Sequence, residues 1–150
     1  MKRHEPTEAD GKIALRDHVV EKALDARRRY PNLDGEAVIS AFLNDKECVR
    51  FATELSFDAT CLQDGEFAWA GQKGDGPSDG YRLHVHPRFR NDPILPRLIA
   101  YHVARINYGD IVTSEEAELY GSALLGLSVE DYYQSLCQAA DSLSGCGGTA

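Results

Sequence analysis

The chain has 150 residues, of which 43% are hydrophobic and 27% are charged, and its formal net charge at pH 7 is −8. This length suits one domain with a single core, which needs neither a disulfide nor a structural metal to fold. The negative charge disfavours general binding to nucleic acid or acidic membranes, because the field of the whole molecule repels polyanions. No segment approaches the roughly 20 apolar residues of a membrane helix, so we expect a cytoplasmic protein.

The cysteines give no sign of a zinc ribbon or a redox pair. Four of them are spread along the chain without a C-x-x-C spacing, which argues against both kinds of site. We expect the thiols to be reduced, and we expect Cys48, Cys61 and Cys137 to pack as small apolar residues.

The first third of the chain predicts two helices. Thr7 and Asp10 have the spacing of a capping box, the apolar residues that follow recur at helical period, and Pro31 ends the segment. Asp34 is the predicted cap of a second, shorter helix. The apolar stripe of that helix comprises Val38, Ile39, Phe42 and Leu43. An N-terminal pair of helices is therefore expected.

A change to strict alternation after Thr53 predicts the first strand of a sheet. Apolar and polar residues alternate over 55–61, as they do in a half-buried strand. Asp64 and Gly65 together are a strong hairpin signal, because both central residues of a type I′ turn need positive φ. We therefore expect residues 66–70 to form a return strand beside the first.

The return strand would carry Phe67 and Trp69 on one face, and the turn length leaves open which face that is. A loop over 71–80, with four glycines and one proline, then leads to a third strand over 81–86. Together the three strands predict an antiparallel meander.

Cap residues delimit three further helices. Asp92 with Pro93 is a typical helix start, and Gly109 is a typical helix end. Thr113 or Ser114 is the predicted start of the next helix, and Gly126 is its predicted end. Ser128 with Asp131 is the predicted start of the last helix.

These elements predict a single α+β domain over residues 1–143. It would have N-terminal helices, a central antiparallel β-meander of about three strands, and C-terminal helices packed on one face of the sheet. The small residues of 144–150 predict a disordered tail.

Histidines make the third predicted strand a candidate metal site. His84 and His86 lie two residues apart, so both imidazoles are expected on one face of the strand, beside Arg82. Asp58, on the polar face of the first strand, is a candidate third ligand. Zinc held by two histidines and a carboxylate, with water in the open position, would form a hydrolytic centre.

Arginines in the same region permit a second interpretation. The segment 81–108 carries five arginines against one acid, whereas 109–150 carries seven acids and no lysine or arginine. The arginines are Arg82, Arg88, Arg90, Arg97 and Arg105. Such side chains can bind a phosphate, a carboxylate or a single-stranded nucleic acid. They can equally pair with the acidic segment, within the fold or across a dimer.

His102 lies inside the apolar stripe of the helix that follows these strands. A lone histidine at such a position is typically a core residue whose hydrogen bonds are satisfied within the protein. We therefore expect His102 to be structural.

The sequence favours a non-catalytic interaction or regulatory module without a cofactor. We expect it to form a homodimer or to bind a protein partner through the arginine-rich strand and helix, with nucleic acid a less favoured partner. The alternatives are a metal-dependent hydrolase at His84, His86 and Asp58, and a binder of small anions or nucleic acid through the five arginines.

Overall fold

The structure is a computed structural model that describes the backbone from Glu8 to Gly148 and the side chains from Asp10 to Leu143. Thr7, which the sequence predicts as part of the first helix cap, lies outside the described residues. The elements, in chain order, are α1 (Glu8–Arg29), α2 (Glu36–Leu43), β1 (Thr53–Phe57), β2 (Ala68–Gln72), β3 (Tyr81–Val85), α3 (Leu95–Tyr108), α4 (Ser114–Leu125) and α5 (Val129–Gly148). The fold is α+β, with helices before and after a central sheet, as predicted.

The sheet is mixed, so the predicted antiparallel meander is wrong. Its strand order is β1-β3-β2, with β1 parallel to β3 and β2 antiparallel to β3. A turn does form at Gly65 (φ 81°), where the Glu66 amide donates to the Gln63 carbonyl at 3.0 Å. The chain has already left the sheet, however, because Asp58 accepts hydrogen bonds from the amide and hydroxyl of Thr60 just after β1. β1 pairs with β3, and β2 pairs with the other side of β3.

The two faces of β3 are as predicted. Leu83 and Val85 are fully buried against the helices, and Tyr81 packs on the same core. Arg82 and His84 lie on the other face of the sheet, opposite Glu54 and Ser56 of β1 in the register. We call this second surface the outer face.

Phe67 and Trp69 do not lie on one face of a strand. The strand begins only at Ala68, so Phe67 stands before it, and its ring contacts Tyr101 and His102 of α3. Trp69 lies on the outer face, where it is 44% exposed. The return strand was predicted over 66–70, but β2 begins only at Ala68. Phe67 therefore does not share the alternation that places Trp69 on the outer face.

The helices enclose one core. α4 packs against both α1 and α3, and α5 packs on α4. Gly121 of α4 lies against Tyr132 of α5, since a Cβ at Gly121 would come within 2.2 Å of the Tyr132 ring. The Tyr132 hydroxyl donates to the Arg97 carbonyl at 2.6 Å. This contact joins α3, α4 and α5.

Most predicted helix boundaries hold, and two shift. Thr113 and Glu116 form a capping box, Gly126 takes a left-handed conformation, and the Ser128 hydroxyl caps α5. Gly35 caps α2 in place of the predicted Asp34. Asp92 bonds the Ile94 amide at 2.9 Å, so α3 begins after this turn and not at Pro93.

The backbone of α5 continues to Gly148, five residues into the segment predicted as a tail, and residues 149 and 150 lie outside the described part. Cys48 is buried as expected, whereas Cys61 is exposed, which corrects its predicted apolar packing. Among the described helices, none is long and apolar enough to cross a membrane.

Candidate ligand-binding cleft

His84, the first residue of the predicted metal site, lies on the outer face of the sheet. Its ring is nearly parallel to that of Trp69, with centroids 5.8 Å apart and planes 15° apart. The Trp69 ring rests over Gly71, where a Cβ would come within 2.6 Å of it. The Nδ1 atom of His84 is buried and has no hydrogen-bond partner.

The other two residues of that predicted site have partners of their own. β3 ends at Val85, so His86 lies beyond it, and its Nδ1 accepts a hydrogen bond from the Arg88 amide at 3.1 Å. Hydrogen bonds from Thr60, with a smaller contribution from the charge of His84, hold the pKa of Asp58 below its ordinary value. The described residues contain no group of three His, Cys, Asp or Glu side chains that could hold a metal ion.

Two of the five arginines pair with acids that precede β2. Arg82 donates to Glu54 at 3.2 Å, and Lys73 approaches the same carboxylate at 3.0 Å. Hydrogen bonds from Lys73 and Arg82 lower the pKa of Glu54. Arg90 donates to Glu36 at 3.3 Å and stacks over the Phe57 ring at 5.0 Å. Both arginines therefore pair with acids within the fold. These acids belong to β1 and α2 and not to the acidic segment 109–150.

The other three arginines lie at three different places. The Arg97 guanidinium donates to the Ser135 hydroxyl of α5. Arg88 donates to the Ser142 carbonyl near the end of that helix at 3.3 Å. Arg105 is exposed and lines a cleft beside β2. The five arginines therefore differ in their partners and surroundings.

A cleft runs between β2 and α3 and continues to α4 and α5. It has two compartments that meet at Glu66, Ala68, Tyr101 and His102. We call it the His102 cleft. The apolar compartment, of about 410 Å³, is lined on its far side by Glu118, Tyr133, Leu136 and Cys137. The polar compartment, of about 620 Å³, is lined by Trp69, Gln72, Tyr81, Arg105, Ile106 and Asp110.

Helical geometry places His102 at the junction of the two compartments. Tyr101, His102 and Arg105 lie within little more than one turn of α3 and all border the cleft. The ring of Phe67 closes over them, 5.9 Å from the His102 ring and 6.4 Å from the Tyr101 ring, in edge-to-face contacts. Such aromatic contacts fix the orientation of the imidazole.

The polar groups of His102 are not satisfied, which overturns its predicted role as a satisfied core residue. Its Nε2 atom is buried and has no hydrogen-bond partner in the described part of the protein. Burial, assisted by the charge of Arg105, lowers the pKa of His102 from 6.5 to about 4. The imidazole is therefore neutral near pH 7 and presents one polar nitrogen without a partner.

Glu118 is a second polar group without a partner in the cleft. It is partly buried, and no described residue forms a hydrogen bond or an ion pair with it. Burial and the neighbouring charge of Glu115 raise the pKa of Glu118. Glu115, three residues earlier, has its own partner in Arg16 of α1.

The remaining wall of the apolar compartment comes from α5. Tyr133 is 49% exposed, and a hydrogen bond with Cys137 raises the pKa of the Tyr133 hydroxyl. The sequence did not indicate that Glu118 and Cys137 belong to one site, because they lie on two helices that meet only in the folded chain. The one local signal was a polar residue, His102, inside an apolar stripe.

Comparison of the chain with protein-family models, with curated proteins and with solved structures gave no match.

Proposed function

We propose that the protein is a non-catalytic binding module whose ligand site is the His102 cleft. The observation that carries this proposal is that His102 lines both compartments and that its buried Nε2 atom has no partner among the described residues. Leaving a buried polar atom without a partner costs about 1–3 kcal/mol, and such atoms are rare in native proteins. A ligand that forms a hydrogen bond with Nε2 would recover that free energy.

The shape and lining of the cleft support the same proposal. Its compartments fall in the size range of sites for small molecules, and the apolar compartment combines aromatic and aliphatic walls with few polar groups. Most of the wall comes from helices and from β2, which hold side chains more rigidly than the loop of Gly65, Glu66 and Phe67 that completes it. Perturbed pKa values also cluster at functional sites, and His102 and Glu118 both have one.

Binding is favoured over catalysis because the cleft lacks an activated nucleophile. In the described structure no hydroxyl, thiol or carboxylate is hydrogen-bonded to His102. A nucleophilic mechanism needs such a base within hydrogen-bond reach of the attacking group. A module that changes its affinity for a partner when a ligand is bound belongs to the regulatory class that the sequence predicts. That this protein forms a homodimer or binds a protein partner stays a prediction.

A fragment screen tests this proposal. Small neutral, cationic and anionic compounds would be screened against the protein by ligand-observed NMR, and the hits repeated on Cys137→Trp, in which a large ring fills the apolar compartment. Cys61→Trp is the matched control, because Cys61 is exposed on a loop outside the cleft. We expect hits that Cys137→Trp abolishes and Cys61→Trp preserves.

Two results would contradict the proposal. One is a broad screen without hits on the wild-type protein. The other is a set of hits that bind equally well to a folded Cys137→Trp variant, as judged by circular dichroism. In that case the ligands would bind elsewhere.

A further inference from the structure

The charges that line the apolar compartment have one sign. Two carboxylates, Glu66 and Glu118, border it, and no lysine or arginine is among its lining residues in the described structure. Arg105 borders only the polar compartment. A ligand in the apolar compartment therefore meets two carboxylates in the lining itself, while the charge of Arg105 reaches His102 and Tyr101 from the polar compartment.

The two carboxylates differ in how far they are satisfied. Glu66 accepts a hydrogen bond from the Gln63 amide at 3.1 Å. Glu118 has no hydrogen-bond or ion-pair partner in the described residues, although it is partly buried. A carboxylate removed from water without a partner is unfavourable, and a cation beside it would reverse that cost. Of the two carboxylates, Glu118 is thus the one without a partner among the described residues.

Aromatic rings surround the same space. Phe67, Tyr101 and Tyr133 line the apolar compartment together with Glu118. The faces of such rings attract cations, and the attraction grows when the cation is removed from water. Neutral His102 completes the set, since an uncharged imidazole does not repel a cation and has one nitrogen that can accept a hydrogen bond.

We infer that the ligand of the His102 cleft is an organic cation, with an ammonium group between Glu118 and the aromatic rings and an apolar body against Leu136. This inference rests on the proposed binding function and specifies its ligand class. An anion would meet the unpaired carboxylate, and a bare metal ion would find no group of three suitable ligands in the described residues. An ammonium group can use Glu118 and the rings together.

Three probes with similar phenyl bodies separate charge from shape. They are 2-phenylethylamine, which is a cation at pH 7, the neutral 2-phenylethanol, and the anion 3-phenylpropanoate. Their dissociation constants would be measured by NMR titration on the wild-type protein. We expect the cation to bind at least about tenfold more tightly than the neutral probe, as one charge-assisted contact provides. The anion is expected to bind most weakly.

The carboxylate is tested with Glu118→Gln, which keeps the shape of the side chain and removes its charge. We expect this variant to weaken binding of 2-phenylethylamine by about tenfold or more and to leave the neutral probe nearly unchanged. Glu21→Gln is the control, because Glu21 is an exposed carboxylate of α1 that lines neither compartment of the cleft. It should change the affinity by less than about twofold.

The outcomes separate the inference from the proposed function. If 2-phenylethanol binds as tightly as 2-phenylethylamine, or if Glu118→Gln binds both with wild-type affinity, the inferred cation is wrong and the cleft remains a ligand site. Preference for 3-phenylpropanoate would also overturn the inference. If none of the three probes binds, the inference fails, and the broad screen decides whether the proposed function fails with it.

Discussion

The outer face of the sheet and the His102 cleft each combine a histidine with aromatic rings, but they treat their charges differently. On the outer face, Glu54 has two cationic partners, Arg82 and Lys73. In the cleft, Glu118 has no partner among the described residues. His84 and His102 each have a buried nitrogen without a hydrogen bond, yet only His102 opens onto two compartments of substantial volume.

This difference shows why residue types alone were a poor guide to the site. The sequence directs attention to His84 and the arginines, because they are dense along the chain. In the folded protein most of these arginines bond acids, hydroxyls or carbonyls. A polar group whose bonds are already made has little free energy left for a ligand. Groups without partners are the better indicator.

The largest expected effect comes from comparing two glycines that each lie against an aromatic ring. Gly121 lies against the buried Tyr132 ring, and Gly71 lies under the exposed Trp69 ring. Gly121→Ala places a methyl group within 2.2 Å of the buried Tyr132 ring, which is held by its bond to Arg97. We expect a loss of about 3 kcal/mol, the upper end of overpacking costs. Gly71→Ala displaces the exposed Trp69 ring, which can swing into water, and should cost less than about 1 kcal/mol.

Urea unfolding of both variants measures these costs, with Gly11→Ala as the control for helix propensity. Gly11 lies in α1 and has no atom within 4 Å of an added Cβ, so alanine there should stabilise the protein by about 0.5–1 kcal/mol. Equal destabilisation by Gly121→Ala and Gly71→Ala would mean that the exposed Trp69 ring is held as rigidly as the buried Tyr132 ring.

The next effect is a pH dependence that belongs to the cleft. The pKa of His102 is lowered from 6.5 to about 4 on folding, so the unfolded chain binds a proton in this range that the folded protein does not. Above about pH 6.5 the titration of His102 therefore does not reduce the free energy of unfolding. Below that pH it lowers the free energy of unfolding, by on the order of 3 kcal/mol at pH 4.

His102→Phe removes this contribution and keeps an aromatic ring against Phe67 and Tyr101. We expect its free energy of unfolding to fall less than that of the wild-type protein between pH 7 and pH 4, as measured by urea titration at each pH. Other charged or titratable groups also border the cleft, namely Glu66, Tyr81, Tyr101, Arg105, Asp110, Glu118, Tyr133 and Cys137. The difference between variant and wild type cancels most of their effects. Parallel pH profiles would contradict the assignment.

The smallest expected effect is a gain of stability when the charge of Glu118 is removed. The pKa of Glu118 is raised in the folded protein, so its ionised form lowers stability once the pH exceeds that pKa. Glu118→Gln should therefore be more stable than the wild-type protein near pH 7, by on the order of 0.5 kcal/mol. Thermal unfolding measures this gain. A less stable variant would indicate that the carboxylate has a structural partner.

The sequence predicted those parts of the fold that depend on local chemistry. The Thr113 capping box, the left-handed Gly126 and the inward side of β3 all follow from residues close together in the chain. Strand order did not follow, because the pairing of β1 with β3 joins residues 28 positions apart and depends on where β1 ends. Alternation continues past Phe57, but the Asp58 turn ends the strand.

The cleft was beyond the sequence for a related reason. Most of its lining residues come from α3, α4, α5, β2 and the loop before β2, and no spacing along the chain brings them together. His102 stood out only as a polar residue in an apolar stripe, a pattern typical of satisfied core histidines. Whether its nitrogen had a partner depended on the packing of Phe67 and Tyr101 around it.

The histidine nitrogens provide the most direct test of the His102 cleft as the ligand site. The chain has five histidines, which can be labelled with ¹⁵N together and observed in one spectrum during titration with 2-phenylethylamine. We expect the His102 Nε2 resonance to shift and saturate as the ligand is added, while the His84 resonances on the outer face stay in place. A His102 resonance that does not move, or a saturating shift at His84 in its stead, would contradict this account.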